Sequence, residues 1–445
     1  MPILISDVNL IDSSSTEPRT HMDVLIEGSR ISAIGPTGQA LPGTPEVTVV
    51  NGIGRWAVPG LIDAHIHLCI PYHPDDPGGD VPGTSQESIA LAAMYGLRNA
   101  RSLVTKGITT IRDVGSHGHS IFAVKQLIDR HQAVGPRIVP SGRAIAMTGG
   151  HGAMMSVFAD GPDGVRKAAR DELAAGALSL KLMSTGSGAS ARERPTDVHF
   201  TIAEMAAAVE AAHGLGRPVA VHATNPTGVH NAVKAGADSI EHGIVLDDEA
   251  FDLMAQHQVF YVPTVWAYHY VGERAQYLAT SPEVAQEVQT RYQAHHENVS
   301  RARSAGIRIV AGTDAAMPIN PQESLIWELE WLVACGLTPH EAIVAATADA
   351  ASLLRIDNEV GKLCPGQIAD ILIVDADPLA DIRNLKRTAT VISGGRVIVS
   401  DEDVAPSPFI DDIHPVPPGP CPGSADPNDH SSDSVTQQSA GGPIG

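Results

Sequence analysis

A chain of 445 residues is too long for one small core and suits a large barrel or two packed domains. Its net charge of −21 argues against nucleic acid or an anionic membrane as a partner, because both reward basic patches. With 43% hydrophobic residues and no run near the ~18 apolar residues of a membrane span, the composition predicts a soluble globular protein.

From the N-terminus, Met1-Pro2-Ile3-Leu4-Ile5-Ser6-Asp7 has no basic region and no long apolar core, so no signal peptide is expected and the expected location is cytoplasmic. Residues 1–58 read as short strands between turns, with β-type runs at 3–11, 24–26 and 30–35. The runs 369–375 and 389–399 have the same texture. Two strand-rich flanks around a different middle predict one small β domain built from 1–58 and 357–400.

The middle, 59–356, alternates strands with helical stretches. Strands are expected at 60–68, 108–114, 137–141, 178–183, 218–223, 238–241, 260–265 and 308–311. Helices are expected at 85–105, 121–133, 164–175, 202–215, 228–235, 247–256 and 282–305. A last helix opens on Thr338-Pro339-His340-Glu341, a capping box with Pro at the first helical position. A Pro-, Gly- and Asp-rich loop fills 71–83. Regular βα alternation over this span predicts a (β/α)8 TIM barrel. A doubly wound open sheet fits less well, since no Gly-rich phosphate loop follows the first strand.

Residues 401–445 hold eight acids and no Lys or Arg, so they supply −8 of the −21. Rich in Pro, Gly and Ser and poor in apolar residues, this tail is expected to be extended or disordered. The four cysteines (Cys69, Cys335, Cys364 and Cys421) are scattered, with neither C-x-x-C nor the spacing of a secreted framework.

The first barrel strand, Gly60-Leu61-Ile62-Asp63-Ala64-His65-Ile66-His67-Leu68, carries the first chemistry. Alternation puts Asp63, His65 and His67 on one side and Ile62, Ala64, Ile66 and Leu68 on the other. Polar side chains on a buried strand face are costly unless something binds them. A metal ion would do so, and so would hydrogen bonding within a core His pair. Reactive groups of such barrels sit at the C-terminal ends of the strands. There the chain places Lys181 on strand four, His222 on strand five, His242 on strand six and Asp314 on strand eight. Each alone is compatible with packing; packing alone does not explain all of them at the correct ends of separate strands. Lys181 in an apolar strand is the oddest, because a buried ammonium is costly unless paired.

In this arrangement the chain resembles the amidohydrolase superfamily from residue 1 to about 400. The elements that carry the resemblance are P-G-L-I-D-A-H-I-H, T-T-I-R-D-V-G at 109–115, Lys181, the His222 and His242 strands, G-T-D-A at 312–315 and G-Q-I-A-D-I-L-I-V-D at 366–375. The Thr148-Gly149-Gly150-His151-Gly152 loop is similar to the branch that holds Xaa-Pro dipeptidases, ochratoxinase-type amidases and imidazolonepropionase-like proteins. The resemblance implies that the domain of both chain ends is a small composite β-sandwich, and it implies a binuclear centre of two divalent ions, Zn first. His65, His67 and Asp314 would hold one ion, His222 and His242 the other, and a CO2-derived carbamate on Lys181 would bridge them. Desolvation would favour the neutral amine that carboxylation needs. The implied reaction is hydrolysis of an amide C–N bond by a metal-bridging hydroxide, with Asp314 relaying the proton. His151 would bond the substrate carbonyl or the oxyanion. Asp63 is left as structural support.

The expected substrate is a small N-acyl amino acid, a dipeptide or an amide xenobiotic. Cyclic amides, ureas, carbamates or phosphoesters are the alternatives at the same centre, and a metal-free scaffold of the same fold is the remote one. Arg192 or Arg194, on the loop with His199 after the Lys181 strand, would hold a substrate carboxylate or else belong to a solvated loop. Tyr261, Thr264, Trp266, Tyr268 and His269 would wall a ring-sized pocket or pack as an ordinary loop, and His117 and His119 would rim it. Thr224 stands where many relatives place a larger ring side chain, which separates this chain from simple dipeptidase specificity. The ligand types suit Zn, Mn, Co or Fe, and a closed homo-oligomer is the expected assembly.

Overall fold

The computed structural model of the chain describes residues 1–39, 47–70, 86–187, 193–278, 282–315 and 324–400. The tail 401–445, the loop 71–83 and Arg192 lie outside the described residues.

Both chain ends build one eight-stranded sheet. Its order runs Arg396–Val399, Thr388–Ser393, Ile371–Val374, Trp56–Pro59, Ile3–Leu10, Arg19–Glu27 and Arg30–Pro36, with Thr48–Asn51 also pairing Ile3–Leu10. The seam between the ends is the antiparallel pairing of Ile371 with Pro59 and Val374 with Trp56. Alternation divides the seam strand between two cores. Ile371 and Ile373 pack with Ile3, Ile5, Val24 and Ile392 inside the sheet layer, while Leu372 and Val374 enter the barrel's core. Pro59 leads directly into the first barrel strand, Leu61–Ile66, so the sheet fixes where the barrel begins.

The barrel strands Leu61–Ile66, Ile108–Asp113 and Arg137–Pro140 pair in parallel. So do Leu180–Met183, Val219–Ala223, Ser239–His242 and Phe260–Val262. Two short strands that the sequence pattern did not announce, Ala144–Ala146 and Ser156–Phe158, extend this second group. Backbone hydrogen bonds join the groups into a ring. Leu178 and Ser179 both donate to the Pro140 carbonyl, at 2.8 and 3.2 Å. Segment 308–315 links the other side, with Val310 donating to Tyr261 at 2.9 Å and Ala64 to Ala311 at 3.0 Å. The eighth strand is thus a set of bridges rather than a continuous ladder. Gly312 lies there because a Cβ would meet His65 Cβ at 2.7 Å. The helices form the outer layer, and Thr338 and Glu341 make the expected capping box on Pro339–Ala345.

Two expectations are corrected. The strand read over 260–265 stops at Val262, Thr264 takes φ 52°, and a helix, Val265–Leu278, follows. Its first N–H groups have no partner within the helix. The buried Glu328 carboxylate accepts from Val265 and Trp266 at 3.0 and 2.7 Å. In the first strand, register shifts send Ile66 and Leu68 into the larger core with Leu61, away from Ile62 and Ala64.

Candidate metal centre and active site

The fold brings the strand-end residues to one place. The ligand atoms of His65, His67 and Asp314 lie within 4.8 Å of one another. Asp314 Oδ1 is 3.4 Å from His65 Nε2 and 3.2 Å from His67 Nε2. The His242 ring is 4.8 Å from that of His65, and the His222 ring is 4.7 Å from that of His242. His151, from the loop after strand three, puts its ring 4.5 Å from His222. Asp314 and His242 both adopt left-handed backbone, at φ 54° and 70°, a strained geometry that clusters at functional sites.

Three imidazoles are tethered at Nδ1. His65 Nδ1 lies 2.6 Å from Glu241 Oε2, His67 Nδ1 is 2.9 Å from the Gly115 carbonyl, and His242 Nδ1 is 2.8 Å from Thr264 Oγ1. Such partners fix the tautomer and leave Nε2 as the atom that would face a metal ion. Glu241 is held in turn by Arg112, whose Nη2 lies 2.9 and 3.0 Å from its two oxygens. Arg112 Nε donates to the Ala64 carbonyl at 2.5 Å and Nη1 to Ser239 Oγ at 3.1 Å. Arg112 and Glu241 are both wholly buried, and sequence reasoning passed over both. Their signal was an Arg and a Glu set in otherwise apolar strands. Asp113 ties the ends of strands one and two, accepting from Leu68 N–H and Ser116 Oγ at 2.9 Å. Asp63 accepts from His65 N–H, Thr313 N–H and Thr313 Oγ1, joining strand one to strand eight as structural support should.

Electrostatics follow from burial. Burial lowers His65, His222 and His242 from the ordinary imidazole range, with neighbouring cations adding to it, which favours the neutral ring that metal binding needs. His67 differs: burial lowers it, but the Asp314 carboxylate outweighs burial and raises it. Burial also works against the Asp314 and Glu241 charges. The two His hydrogen bonds hold Asp314 well below the carboxylate range, and Arg112 does the same for Glu241. Burial pushes Lys181 down to about 8.

Lys181 is 1% exposed, and its Nζ has no hydrogen-bond partner among the described residues. His222 Nε2 is likewise buried without one. Buried polar atoms are nearly always bonded, so these two atoms mark places where a bound group belongs. Together with the His65, His67 and His242 rings and the Asp314 carboxylate, they fit a pair of divalent ions.

The residues expected to contact substrate separate into groups. Tyr268 stands over the site, its ring 5.3 Å from His242. Tyr261 is fully buried behind it, donating to the carbonyls of His242 and Gly243 at 3.0 and 3.2 Å. Trp266 is a core residue, 4.9 Å from the Trp327 ring, so neither it nor Tyr261 walls the pocket. Arg194 is exposed, and its N–H donates to Asp197 at 2.7 Å. His119 pairs with Glu172, and His117 Nδ1 is 3.2 Å from the Met154 carbonyl. Thr224 Oγ1 donates to the Gly186 carbonyl at 2.7 Å, fixing the loop after the Lys181 strand. Glu193 on that loop also went unnoticed in the sequence; its Oε1 lies 3.0 Å from His151 Nδ1.

The chain is similar to known proteins over most of its length. The ochratoxinase of Aspergillus niger is 30% identical over 381 residues, covering 76% of this chain and 75% of that protein. An imidazolonepropionase of Rhizorhabdus wittichii is 26% identical over 381 residues, covering 79% and 88%. Among solved structures, a Xaa-Pro dipeptidase with methionine bound in its active site superposes with a TM-score of 0.81 at 29% identity, covering 89% of this chain and 99% of that one. The amidohydrolase family signature spans residues 56–398, which contain every barrel residue described above. The chain therefore belongs to the amidohydrolase family and is a hydrolase acting on C–N bonds.

Proposed function

We propose that the chain hydrolyses the amide bond of a small substrate: a dipeptide, an N-acyl amino acid or an amide xenobiotic. Two divalent ions, Zn in the first instance, would be held by His65, His67, His222, His242, Asp314 and a CO2-derived carbamate on Lys181. The observation that carries this reading is the buried Lys181 amine with no hydrogen-bond partner among the described residues. Carboxylation would turn a costly buried amine into an anionic ligand. With its pKa pushed down to about 8, the neutral amine that reacts with CO2 is accessible near neutral pH.

When bound, the ions supply Lewis acidity and a nucleophilic form of water at neutral pH. The chain's own residues do the rest. Asp314, beside both His65 and His67, would take the proton from the attacking water and pass it to the leaving amine. His151, fixed at Nδ1 by Glu193, offers its ring to the oxyanion that develops on the scissile carbonyl. The likeness to an ochratoxinase and to a Xaa-Pro dipeptidase supports an amide as the bond cleaved.

The test is a hydrolysis screen over dipeptides, N-acyl amino acids and aryl amides, with metal content measured on the same zinc-loaded protein. Amide cleavage with close to two ions per chain is expected. Cleavage of triesters or lactones alone, or well under one ion per chain in protein never exposed to chelator, would overturn the reading.

A further inference from the structure

Thr264 stands immediately before the helix Val265–Leu278, at the N-cap position. A threonine there ordinarily turns its hydroxyl onto the first N–H groups of its own helix. This one turns elsewhere. Its Oγ1 donates to the Pro263 carbonyl at 2.7 Å and lies 2.8 Å from His242 Nδ1. A hydroxyl has one proton, so with that proton on Pro263 the oxygen accepts from the His242 ring N–H. Nδ1 then carries the proton and Nε2 keeps its lone pair. The diversion leaves two deficits. Thr264 takes φ 52°, a strained backbone for a β-branched residue. The N–H groups of Val265 and Trp266, both buried residues, also lose their usual acceptor. Glu328 makes good the second deficit. It is fully buried on the helix Leu325–Ala334, where residues 325–332 are all buried. Its Oε1 accepts from Val265 at 3.0 Å and its Oε2 from Trp266 at 2.7 Å. A carboxylate also suits the positive end of a helix.

We infer that Glu328 is a positioning residue for His242: by capping the helix in place of Thr264, it frees the threonine hydroxyl to hold the imidazole. The inference rests on the reading of His242 as a metal ligand and extends that reading to a residue on another helix. Without the Glu328 oxygens, two buried N–H groups need an acceptor. Thr264 Oγ1 is the oxygen at the ordinary capping position, and turning to them takes it away from His242. The same helical turn carries Tyr268, whose ring lies 5.3 Å from that of His242. The start of this helix therefore meets the imidazole at two places, and Glu328 fixes both.

The test is a double-mutant cycle on full-length protein with Glu328→Gln, which keeps one acceptor, and Thr264→Val. The readout is zinc affinity, measured by competition with a chelator. Glu328→Gln alone should weaken the ion assigned to His222 and His242 by about 10-fold, the low end for an outer partner. In the Thr264→Val background, where there is no hydroxyl to free, the same change should cost less than about 2-fold. An equal loss in both backgrounds, or none in either, overturns the inference and leaves Glu328 as a residue of the fold. If Glu328→Gln does not unfold cooperatively, Glu328→Asp, which keeps the charge but draws it back by one methylene, replaces it in the cycle. Failure of both to fold overturns the inference as well. A wild type that binds no second ion breaks the binuclear reading instead, and the ring N–H signal of His242 in NMR spectra of the metal-free protein then decides. That signal, identified by its absence in His242→Asn, should be present in the wild type and lost to solvent exchange in Glu328→Gln. Its persistence in Glu328→Gln, or its absence from the wild type, overturns the inference.

Discussion

On one side of the centre, His65, His67 and His242 are each held at Nδ1 by a buried partner, and Asp314 lies against two of them. On the other side, Lys181 Nζ and His222 Nε2 are buried with no hydrogen-bond partner among the described residues. The first side takes its shape from the protein alone, through a chain of contacts that runs back to Arg112. The second has its polar atoms in place but unsatisfied, so its stability depends on what binds there. A site divided in this way can hold geometry before loading and still gain from occupancy.

The largest effect should come from the unsatisfied side. Lys181→Ala removes the proposed bridge, and activity should fall by more than about 100-fold, above the 10–100-fold typical of an outer partner. Metal analysis should find close to one ion per chain instead of two. Full activity with two ions would show that the unpartnered amine is only a tolerated core lysine. On the tethered side, Glu241→Gln leaves the Arg112 guanidinium buried without a countercharge. The cost should be about 3 kcal/mol, since breaking a buried pair from one side costs about 3–5 kcal/mol and Gln keeps one acceptor. Denaturant unfolding of the metal-free protein checks this, and an unchanged midpoint would remove Arg112 and Glu241 from the account of how the tethered side keeps its shape.

These two cases also show what could be read in the chain before the fold was known. His65, His67, Lys181, His222, His242 and Asp314 were legible because βα alternation assigns each to a strand end, where barrel chemistry sits. Lys181 stood out because a cation in an apolar strand has few innocent explanations. Arg112 and Glu241 are as unusual in their strands, yet they are 129 residues apart, and no local pattern says that they meet. The helix at 265–278 was missed for a similar reason. Its first N–H groups are accepted by Glu328, more than 60 residues further on, so the cue that starts it is tertiary. The aromatic residues at 261 and 266 looked like a pocket wall for want of that helix, which turns Trp266 into the core.

Smaller changes test whether each tether matters in proportion to what it holds. Thr264→Val keeps the branched shape but removes the hydroxyl from His242 Nδ1. It should weaken metal binding and activity by about 10–100-fold with little loss of fold stability, as measured by competition with a chelator and by unfolding. Loss of stability without loss of metal affinity would make that hydroxyl a packing feature.

Tyr261→Phe should do least. The phenol donates to the His242 and Gly243 carbonyls, at the point where the strand turns into left-handed backbone to present His242. Leaving buried carbonyls bare costs ~1–3 kcal/mol each, which would make this change as severe as the loss of Glu241. Both carbonyls have second partners, however: His295 Nε2 lies 2.8 Å from the His242 oxygen, and Asn298 Nδ2 lies 3.1 Å from that of Gly243. The loss is then one hydrogen bond rather than two bare acceptors, about 1 kcal/mol, with activity changed by less than a factor of about 10. A loss of 3 kcal/mol or more in urea unfolding would mean that His295 and Asn298 do not share the load, and that the turn at His242 hangs on the phenol alone.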